Sequence, residues 1–355
     1  MVFEDHASTT DCAFETEQAV PAQRASWSFR SARPAAANAT PVQSPRQTLK
    51  NSISCTGIGL HTGFRVSMTL HPAAPGSGVV FRRSGPHGVA LIPALWTHVK
   101  DSRQCTVVGN DDGVTVATIE HLMAAVSAMN IDDLLIDING PEVPAMDGSA
   151  APFVFLIECA GVTAHLPSQP AAAPRTAIRI LETVTVSHNG AEATLAPTSG
   201  NGLNVAFEIE FAAAAIGRQS TSVQVSPAVF KNQVSRARTF GLIDDLPKMR
   251  AAGLARGGSL ENAVVVNGAD VLNEGGLRYP DEFVRHKVLD AVGDLALAGR
   301  PIIGAYHGTR SSHALNTALL QALFAKPSAW VAVDAATGLP LADQPMAAEP
   351  LRAIA

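Results

Sequence analysis

The sequence predicts an α+β protein of two related halves packed face to face. Its length of 355 residues exceeds what one hydrophobic core usually serves, so two domains are expected. Short strand-like runs between Gly and Pro punctuation give way to segments with apolar residues at helical period, and this change of period occurs twice. The order helix, strand, helix ends both passages, at residues 118–160 and again at 280–324.

Residues 1–45 mix Ala, Ser, Thr, Pro and Gln without sustained apolar periodicity. They bury too little to offset ordering entropy and are expected to form a disordered extension. Order is expected from near Gln47, with strands around Ile53 and over residues 64–70, 79–81 and 105–108. Residues 118–129, TIEHLMAAVSAM, carry apolar side chains at 119, 122, 123, 126 and 129 and read as an amphipathic helix. The strand LLIDI, the loop NGPEVPAMDGSA and a helix over 151–160 complete a first domain, 46–167. SQPAAAPR, residues 168–175, is a short linker.

The second domain, 176–345, is expected to open with strands at 177–181, 184–188, 193–195, 205–211 and 221–225. It closes with helices over 280–297 and 312–324 about a strand at 301–305, and residues 346–355 are a C-terminal tail. Between them, residues 239–266 read as a strand-helix-strand insertion whose Leu242, Leu246, Leu254, Leu260 and Val265 form either an apolar wall or ordinary core.

Composition excludes several classes of function. A net charge of −5 and the absence of a basic block argue against a general nucleic-acid binder. Apolar residues make up 46% of the chain, yet no uncharged run reaches the roughly 20 residues a membrane span needs. The acidic start, MVFEDHASTTDCAFETEQ, lacks a basic n-region and an apolar core, so a secretory signal is not expected and the cytoplasm is the expected location. Cys12, Cys55, Cys105 and Cys159 have no CxxC spacing, so reduced thiols are expected, and any metal falls to His and carboxylate. Neither a P-loop nor a GxGxxG after a strand is present to cradle a nucleotide phosphate.

The chemistry is concentrated in PDEFVRHKVLDAVGDLALAGR, Pro280 to Arg300. At helical period His286, Asp290 and Asp294 share one face, where an enclosed helix would normally bury leucines. A His and an Asp at i, i+4 can reach a single ion. The same stripe reads equally well as an enclosed salt-bridge helix, with Arg285 and Lys287 answering Asp290 and Asp294. Glu120 and His121 are adjacent and point about 100° apart, so one can be a ligand and the other stand beside it. Neither HExxH nor HxxEH occurs here. If His121 joins His286 and Asp290, two imidazoles and one carboxylate leave a tetrahedral position open, as at a catalytic zinc. Glu120 would then be placed as a general base, His313 at the start of the last helix as a proton donor, Asp294 as its partner and Lys287 as a cation for a developing oxyanion.

The phrases LKNSISCTGIGLHTG, TIEHLMAAVSAMNIDDLLIDINGPEVPAMDGSAAPF, SRARTFG, LRYPDEFVRHKVLDAVGDLALAG and HALN occur in this order. Together they resemble the UDP-3-O-acyl-N-acetylglucosamine deacetylase family, zinc enzymes of the committed step of lipid A synthesis in Gram-negative bacteria. The resemblance runs from about Gln47 to the C-terminus. It implies two α+β domains, each a helix pair on a β-sheet, with the helices sandwiched between the sheets and the site at their junction. It also implies zinc (Zn2+) on His121, His286 and Asp290, with iron (Fe2+) an alternative in the cell. Glu120 is then the base and His313 the acid with Asp294 behind it, while Lys287 and the Thr239 hydroxyl serve the reacting carbonyl. Phe240 is expected close to the sugar, and Leu242, Leu246, Ala255, Leu260 and Val265 along an acyl passage. Arg278 and Arg310 are candidates for a basic rim. The substrate implied is a small UDP-acyl-sugar, handled by a cytoplasmic monomer without nucleic acid or stable membrane insertion. The N-terminal extension has no counterpart in the family, and Ala255 is small for a passage wall. The competing readings are a zinc amidohydrolase of another N-acyl sugar, and a metal-stabilised scaffold. A structural zinc would instead need four closed protein ligands.

Overall fold

The computed structural model describes residues 44–85, 88–166 and 174–341, which belong to one unit, Gln43–Ala355. The expected C-terminal tail, all but the last two residues of the N-terminal extension and most of the linker lie outside the described residues. The first half contains β1 (Gln47–Leu49), β2 (Ile53–Ile58), β3 (Arg65–Pro72), β4 (Val79–Gly85), β5 (Gly88–Pro93), β6 (Val99–Asp101), β7 (Val107–Gly109), β8 (Thr115–Val116), α1 (Glu120–Ala128), β9 (Leu134–Ile138), α2 (Ala151–Ala160) and β10 (Val162–Ala164). In the second come β11 (Thr176–Ile180), β12 (Val184–His188), β13 (Ala191–Ala196), β14 (Leu203–Glu210), β15 (Arg218–Gln224), α3 (Pro227–Gln233), β16 (Phe240–Leu242), α4 (Leu246–Ala251), β17 (Val264–Asn267), β18 (Asp270–Val271), α5 (Glu282–Leu295), β19 (Ile302–Thr309), α6 (His313–Phe324) and β20 (Trp330–Asp334).

Five strands of each half repeat one arrangement, while in the second half β11 also pairs with β19 and draws β11 and β20 into a seven-stranded sheet. The first sheet has the order β2-β3-β9-β4-β5, with β9 antiparallel to β3 and parallel to β4. Its counterpart runs β12-β13-β19-β14-β15, with β19 antiparallel to β13 and parallel to β14. Flanking pairs match as well, since β1 with β10 and β11 with β20 are both antiparallel. Alternation selects the inner face of each sheet: Val66, Met68 and Leu70 of β3 and Val205, Phe207 and Ile209 of β14 are buried, while Arg65, Ser67 and Glu210 face outward.

Helices α1 and α5 are buried on nearly every side, the mark of a central layer between two sheets rather than a surface helix. They cross so closely that a Cβ added at Gly293 would lie 2.0 Å from the Glu120 carbonyl oxygen. One apolar core runs through both halves, from Leu49 and Met68 past Leu122, Leu289 and Leu319 to Ala329.

The structure moves several expected boundaries. Helix α1 starts at Glu120 rather than residue 118, because Thr118 has a left-handed backbone (φ 56°) and gives its hydroxyl to Glu142 at 2.8 Å. α5 ends at Leu295, followed by a short 3₁₀ turn that Gly299 terminates with φ 75°. β1, β5, β6, β8, β10, β18, β20 and the short α3 are additions to the expected set. The described residues begin slightly before Gln47, with Pro45 bridged to Pro174 and Arg46 buried in a two-bond pair with Asp133.

The insertion is the expected strand, helix and strand, β16, α4 and β17, joined by the short β18. Its Gly257 lies against the 59–63 loop of the first half, where the Gly257 amide donates to Leu60 at 3.0 Å and a Cβ would meet the Gly59 carbonyl at 2.2 Å. Glycine permits that backbone-to-backbone approach.

Candidate metal and catalytic centre

Three helices converge on one buried cluster. α5 supplies His286, Asp290 and Asp294 from successive turns, the first turn of α1 supplies Glu120 and His121, and His313 opens α6. α6 begins there because the Ser312 hydroxyl caps it, accepting from the Leu315 amide.

His121, His286 and Asp290 each offer one ligand atom, and these atoms lie within 4.8 Å of one another. Asp290 Oδ1 is 3.3 Å from His286 Nε2 and 3.7 Å from His121 Nε2. It is buried and accepts no hydrogen bond. The rings of His121 and His286 stand edge to face, 4.9 Å between centroids. His286 Nδ1–H donates to the Ala237 carbonyl at 3.0 Å, which leaves the Nε2 lone pair directed at the cluster. Burial pushes His121 down to about 3, and the nearby His286 adds to the effect. His286 is lowered chiefly by burial as well. Both rings are thus neutral and can act as ligands. Burial works to raise Asp290, but His286 and Lys287 outweigh it and hold the carboxyl well below the usual carboxylate range. Two neutral imidazoles and an ionised carboxylate with an orphaned oxygen fit a divalent cation.

Around this triangle sit the proton-transfer groups. Glu120 Oε2 accepts from the Thr106 amide at 3.0 Å, and Oε1 lies 3.8 Å from His313 Nε2. Burial raises the Glu120 carboxyl to about 7, against the pull of His313. His313 Nδ1–H donates to Asp294 Oδ2 at 2.8 Å, and its Nε2 also lies 3.9 Å from Asp290 Oδ2. Burial disfavours a charged His313, but Asp294 and Glu120 prevail and raise it to about 9. Lys287 Nζ donates to Asp290 Oδ2 at 2.5 Å. Burial would lower the Lys287 ammonium, yet Asp290 more than compensates and keeps it charged. The salt-bridge reading of the stripe is met only at Lys287, because Arg285 pairs with Asp281 at 2.5 Å.

Thr239, Phe240 and the expected passage residues lie along the insertion, and the rim candidates Arg278 and Arg310 lie outside it. Thr239 is half-buried, its amide donating to Gly148 at 2.8 Å. Phe240 packs edge to face on Phe283, centroids 5.0 Å apart, and 6.2 Å from the His286 ring. Leu242, Leu246 and Val265 are half-buried, Ala255 is buried, and Leu260 is 50% exposed. Arg278 is paired with Asp147 at 2.8 Å, and Arg310 donates to the Gly190 carbonyl at 2.6 Å beside Glu210, so neither is an uncommitted cation.

Sequence reasoning missed Thr106 and left Asn316, within HALN, without a role. Thr106 Oγ1 donates to Asp294 Oδ1 at 2.6 Å, and Asn316 Nδ2 donates to Asp294 Oδ2 at 2.8 Å. No local signal marks Thr106, because its partner is 188 positions away in the chain.

A model of the family described as UDP-3-O-acyl N-acetylglycosamine deacetylase matches residues 46–325. The chain is similar to the UDP-3-O-acyl-N-acetylglucosamine deacetylase of Chromohalobacter salexigens, 47% identical over 287 residues that cover 80% of this chain and 92% of that relative. To the enzyme of the same name from Neisseria meningitidis it is 43% identical over 305 residues, 84% of this chain and 96% of the relative. The Myxococcus xanthus counterpart is 45% identical over 290 residues, 82% and 90% of the two chains.

Proposed function

Because the chain belongs to the UDP-3-O-acyl-N-acetylglucosamine deacetylase family, we propose that the residues gathered between α1, α5 and α6 carry out that family's reaction. The reaction is hydrolysis of the acetamide of a UDP-3-O-acyl-N-acetylglucosamine to acetate and the free amine, a step of lipid A biosynthesis. The observation that carries the assignment to this cluster is the orphaned, buried Asp290 Oδ1 facing the Nε2 atoms of two neutral histidines.

His121, His286 and Asp290 would hold a divalent ion that polarises the acetamide carbonyl and eases deprotonation of water; zinc fits this donor set, and iron(II) is the alternative. Glu120, with Oε2 held by the Thr106 amide, uses Oε1 to take a proton from the attacking water. His313 is protonated at neutral pH and passes the Nε2 proton to the departing sugar nitrogen, while Asp294 fixes the ring through Nδ1. The Lys287 ammonium and the Thr239 hydroxyl stabilise charge developing on the carbonyl oxygen. Phe240 lies beside the sugar. Leu242, Leu246, Ala255, Leu260 and Val265 line the acyl chain's path, where each buried CH₂ contributes about 0.8 kcal/mol.

The reading takes a single chain as the working unit, since both halves of one chain already supply the whole cluster. Among the described residues no helix is long and apolar enough to cross a membrane. The reading takes the cytoplasm as the place of action on a small-molecule UDP-acyl-sugar.

The test is acetate release from UDP-3-O-(3-hydroxyacyl)-N-acetylglucosamine by metal-quantified protein, comparing wild type, chelated protein and His286→Ala. Turnover that tracks about one metal per chain and vanishes in the other two samples is the expected result. Full turnover after complete metal removal would overturn the metal assignment. Bound metal without turnover on this substrate would overturn the substrate and direct attention to other N-acyl sugars.

A further inference from the structure

We propose that Thr106 is a positioning residue that holds the base and the acid of the reaction in register across the junction of the two halves; this rests on the functional reading above. Thr106 is fully buried, and all three of its polar groups are engaged at the site. Its carbonyl accepts from the Ile119 amide at 3.3 Å, gripping the residue that precedes α1. Its amide donates to Glu120 Oε2 at 3.0 Å, and its hydroxyl donates to Asp294 Oδ1 at 2.6 Å. One residue therefore touches the carboxylate that accepts a proton and the carboxylate that orients the proton donor.

The second contact is not replaceable by neighbours. Asp294 Oδ2 already accepts from His313 Nδ1 and Asn316 Nδ2, each at 2.8 Å. Asn316 is itself oriented, since its Oδ1 accepts from the Tyr306 hydroxyl at 2.7 Å and from Ser311 Oγ at 3.0 Å, which turns Nδ2 toward Asp294. These donors all belong to the second half. Among the described residues Thr106 alone reaches Oδ1, and it comes from the first half. A charged acceptor in a buried site gains most from a short, charge-assisted hydrogen bond and is displaced when that bond is lost. With Thr106 in place, Asp294 keeps the His313 ring at a fixed distance from Glu120. Without the hydroxyl, the acid is free to move relative to the base while the metal ligands keep their places.

Thr106→Val keeps the shape, the amide and the carbonyl but removes the hydroxyl, and Thr106→Ser restores it. In the deacetylation assay Thr106→Val is expected to lose roughly 10- to 100-fold in kcat, the usual cost of removing such a supporting group. KM and metal content should stay essentially unchanged, because Thr106 bonds to none of the three candidate metal ligands, and Thr106→Ser should recover most of the kcat. The downfield Nδ1 proton resonance of His313 in the metal-loaded protein should shift in Thr106→Val and return in Thr106→Ser. Wild-type kcat in Thr106→Val, or equal impairment of Thr106→Ser with an unmoved resonance, would overturn the proposal. A wild type that gives the resonance pattern without deacetylating would leave the positioning role standing and refute the functional reading instead.

Discussion

Glu120 and His313 face each other at 3.8 Å, and in the proposed reaction they have opposite tasks, so their surroundings would set the pH range in which both are ready. Burial brings Glu120 up to about 7, so lowering the pH below that value protonates the base and removes its capacity to accept. Asp294 and Glu120, against the effect of burial, bring His313 up to about 9, so raising the pH past that value strips the acid of its proton. A plot of kcat/KM against pH should be bell-shaped, with an acid limb set by Glu120 and an alkaline limb set by His313. Glu120→Gln should lower kcat by about 10²- to 10⁴-fold without unfolding the protein, and His313→Gln should remove the alkaline limb together with a loss of similar size. Full activity in either variant, measured by acetate release with thermal melting as a control, would contradict the assignment of roles. At this scale the spacing of His286, Asp290 and Asp294 was legible because a helix converts i, i+4 directly into a shared face. The pairing of His121 with that face needed the resemblance, because nothing near residue 121 indicates which distant helix it will meet.

Helix α5 carries two of the three candidate metal ligands, His286 and Asp290, and its position depends on contacts at both ends. Near its C-terminus Gly293 touches the Glu120 backbone, and Gly293→Ala would force a Cβ to within 2.0 Å of that carbonyl unless the helices part. Overpacking of this kind typically costs about 1–3 kcal/mol, and because the parting moves His121 away from Asp290, metal affinity should fall along with the melting temperature. Unchanged metal affinity in Gly293→Ala would show that the crossing does not set the site. At the other end Glu282, the first residue of α5, is wholly buried and accepts from Arg238 at 2.8 and 3.0 Å and from the Arg278 amide at 2.6 Å. Burial works to raise its carboxyl, but the Arg238 hydrogen bonds prevail and lower it from 4.5. A depressed folded-state pKa means a stabilising contribution that is complete above about 4.5, the unfolded value, and lost as the pH falls through the folded one. Glu282→Gln leaves the buried Arg238 without its counter-charge and should cost about 3–5 kcal/mol near neutrality, with a flatter acid limb in a stability-versus-pH series. The existence and type of the long helices were legible from apolar periodicity. Strand β5 was not, since its six residues become a strand by pairing antiparallel with β4, and the start of α1 was displaced by the left-handed Thr118, whose cause is a tertiary bond to Glu142.

Across the whole molecule, the repeated order of helix, strand and helix was enough to suggest related halves, and the two five-strand arrangements with matching directions bear this out. The register and direction of each strand were beyond the sequence, because the pairs that define them lie far apart in the chain and are chosen by packing rather than by local preference. The functional residues belong to the span that begins at Arg46, which is tied to Asp133. Removal of residues 1–42 is therefore expected to leave kcat and KM unchanged, and a large loss of activity in the truncated protein would give that segment a role.

The donors of the metal triangle are divided between the halves, His121 from the first and His286 and Asp290 from the second. In the proposed function the ion would therefore be a cross-link as well as a reagent, and its occupancy would report whether the two halves have come together. A chain cleaved between them would have the economy of a two-component system, in which neither fragment captures the cation at full strength and mixing restores both capture and turnover.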